Sequence, residues 1–517
     1  MSTNDTSSIN NATIIKNTVY LYVRMALVLI VNLYITRLLL RALGIDDFGI
    51  YNVVGGVVAF TAFLNHSIAN GFQRFFNIAL GRGDIKEFQK LFSVSISVQC
   101  ITCMVFILLA ETIGLWIVNY KLIIPADRLT ATNIVYQASI LVLLFTLLSS
   151  PCNAVIISHE KMGTFAVIGI IQVLLKLAIT SALFLIMSDR LITFSILLIS
   201  VEFIVLMLYV VCSKRISPTI RLSPATDRQN IKEILVFSGW NLFGSFAHTA
   251  KGQGLNIVLN MFFGPAVNAA RGVAFQVSSG VNHVYSNFQI ASRPQIIKSY
   301  ATNRIDDMIV LINNVSRMSF FLLWIPTLPL LFKSDWVLRL WLGNDLPPLA
   351  PLFTNLVLLT SLVECLATPI SNIAHATGRM KRFQVVISSL VLLVLPAAYI
   401  VLSLGYPPEA ALICSLVMAP IIQFVRLLLA RRLIAFSIRQ YFKQVVAPCL
   451  LVLVISFAVP YVIIHLCSID VSPILLIVLL AAWATACAYR LGMSAAERVR
   501  VKNIISRQLS NLLCKKR

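Results

Sequence analysis

The chain has 517 residues, of which 58% are hydrophobic and only 12% are Asp, Glu, Lys or Arg. Soluble globular proteins are typically about 45–50% apolar and about a quarter charged, so this composition excludes a mainly soluble protein. The net charge of +22 would suit nucleic-acid binding, but most of the 42 Lys and Arg fall in segments predicted to lie on one side of a membrane, so we expect no nucleic acid as a partner.

The apolar residues fall in continuous blocks of about 20, the length of helix that crosses the hydrocarbon core of a bilayer. Backbone groups in lipid must be satisfied internally, and continuous apolar runs favour helices over a β-barrel. We therefore predict an all-α integral membrane protein with about 14 transmembrane helices and both termini in the cytoplasm. The predicted spans lie near residues 18–40, 48–70, 90–112, 130–157, 163–187, 191–212, 232–262, 265–290, 309–332, 349–373, 383–404, 409–430, 442–466 and 472–490.

The first six predicted spans carry few charges, and each charge at a helix centre costs about 2.5–3.5 kcal/mol on insertion scales. Arg24 stands in span 1, Lys176 in span 5 and Glu202 in span 6. Arg24 either binds an anion in a water-filled cavity or snorkels to the interface, and Lys176 either faces such a cavity or pairs with Glu202. Cys100 and Cys103 form a CxxC motif without further ligands nearby, so we interpret them as buried small residues and expect no metal or cofactor.

Predicted span 7 combines glycines with polar side chains in the stretch SGWNLFGSFAHTAKGQGLNIVLN. Each glycine weakens a helix by about 1 kcal/mol relative to alanine. The pattern is typical of a bendable gating helix that lines a sugar-binding cavity, although close helix packing at small residues produces it too. Lys251 in this span and Arg271 in span 8 are candidate anion-binding residues, unless Lys251 pairs with an acid. Candidate sugar contacts are Asn241, His248 and Gln276.

The last spans add one intramembrane acid, Glu364 in predicted span 10. Glu364, or Glu202 with Lys176, is a candidate for binding a proton or Na⁺ that drives transport, and membrane potential alone is an alternative driving force. The tail, residues 493–517, mixes apolar and basic residues. It predicts an amphipathic helix on the anionic inner leaflet, with a disordered basic tail as the alternative.

Two halves of the chain repeat the same landmarks in the same order. The stretch PCNAVIISHEKMGTFAVI, from Pro151 to Ile168, is echoed by PISNIAHATGRMKRFQVV, from Pro369 to Val386. A second pair of echoes, LGIDDFGIYNVV and FGPAVNAARGVA, precedes these stretches at nearly equal separations. Landmarks at matching intervals indicate an internal duplication.

The duplication predicts an N-terminal lobe of spans 1–6 (residues 1–215) and a C-terminal lobe of spans 7–12 (residues 216–435). Spans 13 and 14 (residues 436–492) and the tail follow. Because each lobe has an even number of spans, the lobes would be parallel repeats, an arrangement known in transporters. Such lobes can rock about a central site, whereas a duplicated scaffold without transport is the alternative.

Five stretches of the sequence resemble the polysaccharide (O-antigen and capsule) flippases of the multidrug/oligosaccharidyl-lipid/polysaccharide (MOP) exporter superfamily. They are RLLLRALGIDDFGIYNVVGG, NGFQRFFNIALGRGDIKEFQKLF, ETIGLWIVN, PCNAVIISHEKM and NMFFGPAVNAARGVAFQV. The resemblance implies a flippase of the bacterial cytoplasmic membrane that moves a polyprenyl-pyrophosphate-linked oligosaccharide from the inner to the outer leaflet. It also implies a MATE-like V-shaped pair of six-helix lobes around a central cavity, with a polysaccharide polymerase and glycosyltransferases as further partners besides membrane lipids.

In that resembling fold, spans 1, 7 and 8 would face the gap between the lobes. A cavity that carries pyrophosphate should be cationic, because Arg and Lys hold phosphate oxygens. Arg24, Lys251 and Arg271 are therefore the expected anion-binding residues.

Two other transport functions and one enzymatic function compete with this interpretation. A lipid II flippase would also need a cationic cavity. A cation-coupled multidrug antiporter needs acids, yet span 1 has none and span 7 has none after Glu233. A membrane enzyme usually needs a catalytic loop, and no loop here is long or acidic enough to hold a metal, so we predict a transporter rather than an enzyme.

Overall fold

The structure is a computed structural model that describes residues 5–61, 68, 71–73, 75–76, 79–80, 82–159, 161–185, 188–218, 220, 227–467, 472–494 and 497–498. The described residues are almost entirely helical and contain no strand, which confirms the predicted all-α class. The predicted amphipathic tail lies largely outside the described residues.

The helices follow one another with short connections. In chain order they are α1 (Asp5–Thr61), α2 (Ile85–Leu109), α3 (Leu115–Tyr120), α4 (Leu129–Ser158), α5 (Met162–Ala182), α6 (Arg190–Ile216), α7 (Arg228–Phe263), α8 (Pro265–Ala301), α9 (Ile305–Leu342), α10 (Ala350–Glu364), α11 (Ala367–Thr377), α12 (Met380–Leu392), α13 (Val394–Ser403), α14 (Glu409–Leu433), α15 (Ile438–Tyr441), α16 (Ala447–Cys467) and α17 (Pro473–Cys487). Three π-helical turns interrupt or extend them, at Ala110–Gly114, Phe442–Val446 and Ala488–Gly492.

Eleven helical segments within the described residues are long and apolar enough to cross a membrane, so the protein is a multi-pass membrane protein. Predicted spans 1 and 2 both fall on α1, which is interrupted at Gly44, where φ is 79°. Only glycine adopts that conformation readily, so Gly44 separates the two spans. Predicted spans 7 and 8 fall on α7 and α8, which have 36 and 37 residues and are less apolar than the other spans.

The chain folds into two compact units. The first comprises Met1–Val273, Trp341–Ala350 and Gln384–Cys414, and the second comprises Ala274–Leu340, Pro351–Phe383 and Ser415–Arg517. The predicted lobes are defined by repeated sequence rather than by contacts in one conformation. The lobe boundaries therefore stay a prediction.

Aromatic and aliphatic cores hold the first unit together. Within it, α4 packs along α6, and α1 packs on both α5 and α7. One core cluster contains the adjoining rings of Phe72, Phe76, Phe88 and Phe92, all almost fully buried. Aromatic pairs of this kind contribute about 0.5–1.5 kcal/mol each through ring packing.

A buried network of asparagine side chains joins α1, α7 and α8 in the first unit. Asn256 Nδ2 donates to the backbone carbonyl of Asn52 at 3.1 Å, and Asn268 Nδ2 donates to Asn256 Oδ1 at 2.7 Å. Asn260 Nδ2 donates to Asn268 Oδ1 at 2.9 Å, and Asn260 Oδ1 accepts a hydrogen bond from the backbone N–H of Ile123. The three amides are almost fully buried, so a lost partner would leave a buried polar group unsatisfied.

Glycines allow the backbones around this network to approach closely. A Cβ atom at Gly49 would collide with the carbonyl oxygen of Pro265, at the start of α8. A Cβ at Gly272 would lie 2.9 Å from the side chain of Asn52. Small residues at helix contacts are a common device in membrane proteins, because packing rather than hydrophobicity drives helix association in lipid.

The second unit attaches the last helices firmly to α9. Trp324 Nε1 donates to Ser456 Oγ on α16 at 2.8 Å, and both side chains are buried. Arg317 Nη1 donates to the carbonyl of Gln444 in a π-helical turn at 3.0 Å, and its other terminal nitrogen pairs with Glu497. Predicted span 13 and Glu497, which follows span 14, are thus bonded to α9.

An ionic triad closes one end of the first unit. Arg128, just before α4, pairs with Asp47 on α1 and, at 2.6 Å, with Asp189, which caps α6. Partial burial raises the pKa of Asp189, but hydrogen bonds from Arg128 and from the backbone N–H groups of Ile192 and Leu191 outweigh it and hold that pKa below its ordinary value of 3.8.

The asparagine network generates a first prediction. Asn268→Leu removes a group that contacts both Asn256 and Asn260, and each buried polar group left unsatisfied costs about 1–3 kcal/mol. We expect a clearly lower thermal unfolding temperature of the purified protein in detergent. Asn133→Leu, which removes a half-buried amide bonded to Asn119, is the matched control and should cost less. Equal decreases in unfolding temperature for the two variants would show that the network contributes no more stability than a half-buried amide pair.

The ionic triad generates a second prediction. A depressed pKa in the folded state means that Asp189 contributes stability above its ordinary pKa and loses that contribution as the pH falls through the lower, folded value. The wild type should therefore lose stability below about pH 4, and Asp189→Asn should be less stable at pH 7 but lose less on acidification. Thermal unfolding at several pH values checks this, with Asp335→Asn, in an exposed ion pair, as control. Parallel pH profiles for wild type and Asp189→Asn would contradict it.

Candidate functional site

One face of α5 carries the elements of a charged intramembrane cluster. Phe165, Gly169, Gln172 and Lys176 recur at spacings of four, three and four residues, so they lie along one side of the helix. Both α1 and α6 pack against α5. The structure thereby brings together three of the predicted site residues, which are Arg24, Lys176 and Glu202.

Lys176 and Glu202 form an ion pair across α5 and α6. Lys176 Nζ lies 2.9 Å from Glu202 Oε1, and Glu202 is only 4% exposed, against 32% for the lysine side chain. Gln172 Nε2 approaches both carboxylate oxygens, at 2.9 and 3.0 Å. Of the two interpretations of Lys176 that the sequence leaves open, the structure shows the pairing with Glu202.

Arg24 approaches the same face of α5 from α1. Its guanidinium carbon lies 4.3 Å from the centroid of the Phe165 ring, a cation–π geometry. A Cβ at Gly169 would collide with Arg24 Nε, so glycine at this position makes room for the guanidinium. Among the described side chains, no carboxylate lies within ion-pair distance of Arg24, and its Nε has no hydrogen-bond partner.

Two tyrosines complete the cluster. Tyr209 on α6 interacts electrostatically with Arg24 and Glu202, and Tyr51 on α1 interacts with Lys176 and Glu202. Arg24 and Lys176 bring two positive charges and Glu202 one negative charge, so the group has an excess of one positive charge. Charge interactions are strong in a low-dielectric interior, and this excess favours an anion in the vicinity.

The structure also brings Lys251 and Arg271 into one region of the first unit. Arg271 on α8 is 5% exposed, and its Nη2 donates to the backbone carbonyl of Gly252, the residue after Lys251 on α7. Lys251 itself is half-buried. The pair forms a second basic centre beside the polar stretch of α7.

The remaining predicted site residues belong neither to the charged cluster on α5 nor to the basic centre of Lys251 and Arg271. His248 is exposed on α7, and Gln276 is half-buried on α8 in the second unit. Asn241 lies on α7, but its side chain is outside the described part of the structure. Their assignment as sugar contacts stays a prediction.

Glu364 is exposed at the break between α10 and α11, in the second unit. The break frees backbone carbonyls, and glutamine side chains satisfy them. Gln289 Nε2 donates to the carbonyl of Cys365 at 2.7 Å, and Gln423 Nε2 donates to that of Leu366 at 3.1 Å. Transporters often bind ions at unwound segments, which is compatible with ion coupling at Glu364. That role stays a prediction.

Within the described residues, no group of three or more His, Cys, Asp or Glu could hold a metal ion.

Sequence reasoning missed Phe165, Gly169 and Gln172 as members of the charged cluster. Their spacing relative to Lys176 is the signal that could have found them, because residues four, seven and eleven positions apart share a helix face. Tyr51 and Tyr209 had no such signal, since tyrosines within apolar spans are usually packing residues.

Comparison with solved structures shows which fold the chain has. The lipid II flippase MurJ, in an inward closed conformation, superimposes with a TM-score of 0.68 at 13% sequence identity, covering 92% of this chain and 99% of that one. An inward-facing multidrug resistance MATE family transporter of the MOP superfamily gives a TM-score of 0.62 at 10% identity, covering 81% of this chain and 98% of that one.

A MOP superfamily transporter from Pyrococcus furiosus, with a binding pocket described as reversed in polarity, gives 0.55 at 11% identity, covering 81% of this chain and 95% of that one. Identities this low show the fold alone, and they confirm the MATE-like fold expected from the sequence. No protein-family model and no curated protein sequence matches the chain.

The contact between Gly169 and Arg24 generates a third prediction. Gly169→Val places a branched side chain where Arg24 Nε lies, so the guanidinium must leave the position beside α5 from which it would bind an anion. We expect binding of inorganic pyrophosphate to the purified protein to weaken by about threefold or more. Gly55→Val, at a glycine with no described atom within 4 Å of a built Cβ, is the matched control. Unchanged binding in Gly169→Val would show that the position of Arg24 on α5 is irrelevant to anions.

Proposed function

We propose that this protein is a flippase that moves polyprenyl-pyrophosphate-linked oligosaccharide repeat units from the inner to the outer leaflet of the bacterial cytoplasmic membrane. It would supply O-antigen or capsular polysaccharide synthesis, and it would work by alternating access with both termini in the cytoplasm. The observation that carries the proposal is the positive excess inside the membrane, where Arg24 and Lys176 face a single carboxylate, that of Glu202.

The charge of the cargo explains why such an excess is useful. A pyrophosphate group carries negative charge into a low-dielectric region, and its transfer is favourable only where fixed cations replace its hydration shell. Arginine can hold phosphate oxygens in bidentate fashion, and lysine holds them as a compact point charge. Arg24, Lys251 and Arg271 are the groups we assign to the anion.

The polar character of α7 and α8 suits the sugar part of the cargo. These helices are long but less apolar than the other spans, and they carry His248 and Gln276 among many hydroxyl and amide groups. Hydrogen-bonding groups in a membrane segment are costly unless they meet partners, water or a polar substrate. A glycan that brings many hydroxyl groups would satisfy them.

A lipid II flippase is the second candidate, because the MurJ fold matches over nearly the whole chain. Its cargo, a lipid-linked saccharide, would make similar demands on the cations. A cation-coupled multidrug antiporter is less well supported. The MATE fold also matches, but such a protein needs carboxylates open to cations, and of the two candidate coupling acids Glu202 is buried and neutralised by Lys176, which leaves Glu364 alone exposed.

Transport in proteoliposomes tests the proposal. Wild type should expose a polyprenyl-pyrophosphate oligosaccharide on the far leaflet, and Lys251→Glu or Arg271→Glu should reduce the rate by at least tenfold. The physical reason is that a reversed charge repels the pyrophosphate at the point where it needs compensation, and 1.4 kcal/mol already corresponds to about tenfold.

Arg339→Glu is the matched control, because it reverses an exposed charge paired only with Asp335. Each variant is first checked for folding by its elution profile and thermal unfolding. Transport by lipid II alone would select the second candidate. Efflux of a cationic dye without movement of either lipid would overturn the proposal in favour of the antiporter.

A further inference from the structure

The ion pair in the charged cluster is asymmetric. Glu202 is 4% exposed, and Gln172 Nε2 contacts both of its oxygens, so the carboxylate is fixed in place. The side chain of Lys176 is 32% exposed and carries its charge on a flexible four-carbon stem. The side chain of Lys176 can therefore move out of the ion pair, whereas the carboxylate of Glu202 is held in position.

The two cations of the cluster also differ from each other. Arg24 stacks on Phe165 with no carboxylate within ion-pair distance among the described side chains, whereas Lys176 is neutralised by Glu202. An incoming anion would find the guanidinium open. It would find the ammonium already occupied by an internal anion.

Among the described residues, the charged group that approaches the pair from α1 is Arg24, and the nearby Tyr51 and Tyr209 are neutral. Helix α4, which packs along α6, has no Asp, Glu, Lys or Arg between residues 129 and 158. An anion that enters the site therefore competes with Glu202 for the ammonium group of Lys176.

We propose that Glu202 acts as an internal counter-anion that phosphate oxygens must displace from Lys176, so that this carboxylate limits how tightly the site holds its cargo. The inference rests on the proposed function and adds a residue that sets the affinity. A binding-competent state that is only partly populated lowers the apparent affinity by that fraction. A transporter benefits from this limit, because cargo bound too tightly is not released on the far side.

Gln172 has a defined part in this exchange. When Lys176 turns to the phosphate, the amide of Gln172 remains bonded to Glu202, so the buried carboxylate is not left without a partner. Gln172 is therefore a positioning residue that makes the departure of Lys176 less costly.

The test measures pyrophosphate binding by titration calorimetry on the full-length protein in lipid nanodiscs. Glu202→Gln keeps the shape of the side chain but removes its charge, so inorganic pyrophosphate should bind about tenfold more tightly, the factor that 1.4 kcal/mol gives. Asp335→Asn makes the same change of net charge in an exposed ion pair and should leave the affinity unchanged. In the transport assay, Glu202→Gln should release cargo more slowly.

A second set of variants separates this role from a purely structural one. In a Lys176→Met background, Glu202→Gln should no longer tighten pyrophosphate binding, because the contested cation is gone. Gln172→Leu should weaken binding, since Glu202 then depends on Lys176 alone. If Glu202→Gln does not fold, Glu202→Asp retains the charge but shortens the side chain, and it should tighten binding by a smaller factor.

The outcomes of these titrations separate a failure of the inference from a failure of the proposed function. Unchanged or weaker pyrophosphate binding by a folded Glu202→Gln, or by Glu202→Asp in its place, overturns the inference, while wild-type transport of the polyprenyl-pyrophosphate oligosaccharide would leave the proposed function standing. Tightening that persists in the Lys176→Met background also overturns it. If wild type neither transports this lipid nor binds pyrophosphate, the proposed function fails and the inference fails with it.

Discussion

Water is absent from the hydrocarbon core of a bilayer, so polar groups that a chain carries there need partners within the protein. This constraint organises the first compact unit. The amides of Asn256, Asn260 and Asn268 satisfy one another, and the ammonium of Lys176 meets the carboxylate of Glu202. Arg24 is the departure from the rule, since the described side chains give it an aromatic ring but no counter-ion. That departure is what turns a structural cluster into a candidate anion site.

The same constraint decides where the backbone can be irregular. At the π-helical turn Ala110–Gly114, the carbonyl of Ala110 accepts hydrogen bonds from the backbone N–H of Leu115 and, at 2.6 Å, from the hydroxyl of Tyr136. The break after α10 is satisfied by Gln289 and Gln423, and the turn around Gln444 by Arg317. At each of these three sites, a side chain from another helix bonds to the backbone. The breaks are therefore stable features of the fold rather than frayed helix ends.

Much of this architecture follows from the sequence, because spans of about 20 apolar residues have few alternatives in lipid. The intramembrane charges were visible for the same reason, since each one is costly. Their partners were visible only for Lys176, whose pairing with Glu202 was one of two alternatives. Arg271 bonds to a backbone carbonyl, which has no sequence signature, and Glu202 could have faced either side of α6. The asparagine network joins residues 204 positions apart, and pairing at that distance depends on how each helix is rotated.

The attachment of α9 to the end of the chain has a practical consequence. Glu497, whose pKa is lowered by Ser494 and Arg317 against the opposing effect of burial, lies only five residues beyond the last π-helical turn. A truncation that ends the protein at the membrane surface would delete this carboxylate and strand the guanidinium of Arg317 in the interior, at a cost of about 3–5 kcal/mol. The segment up to Glu497 is therefore bonded to α9, and affinity tags and fluorescent fusions should not replace it.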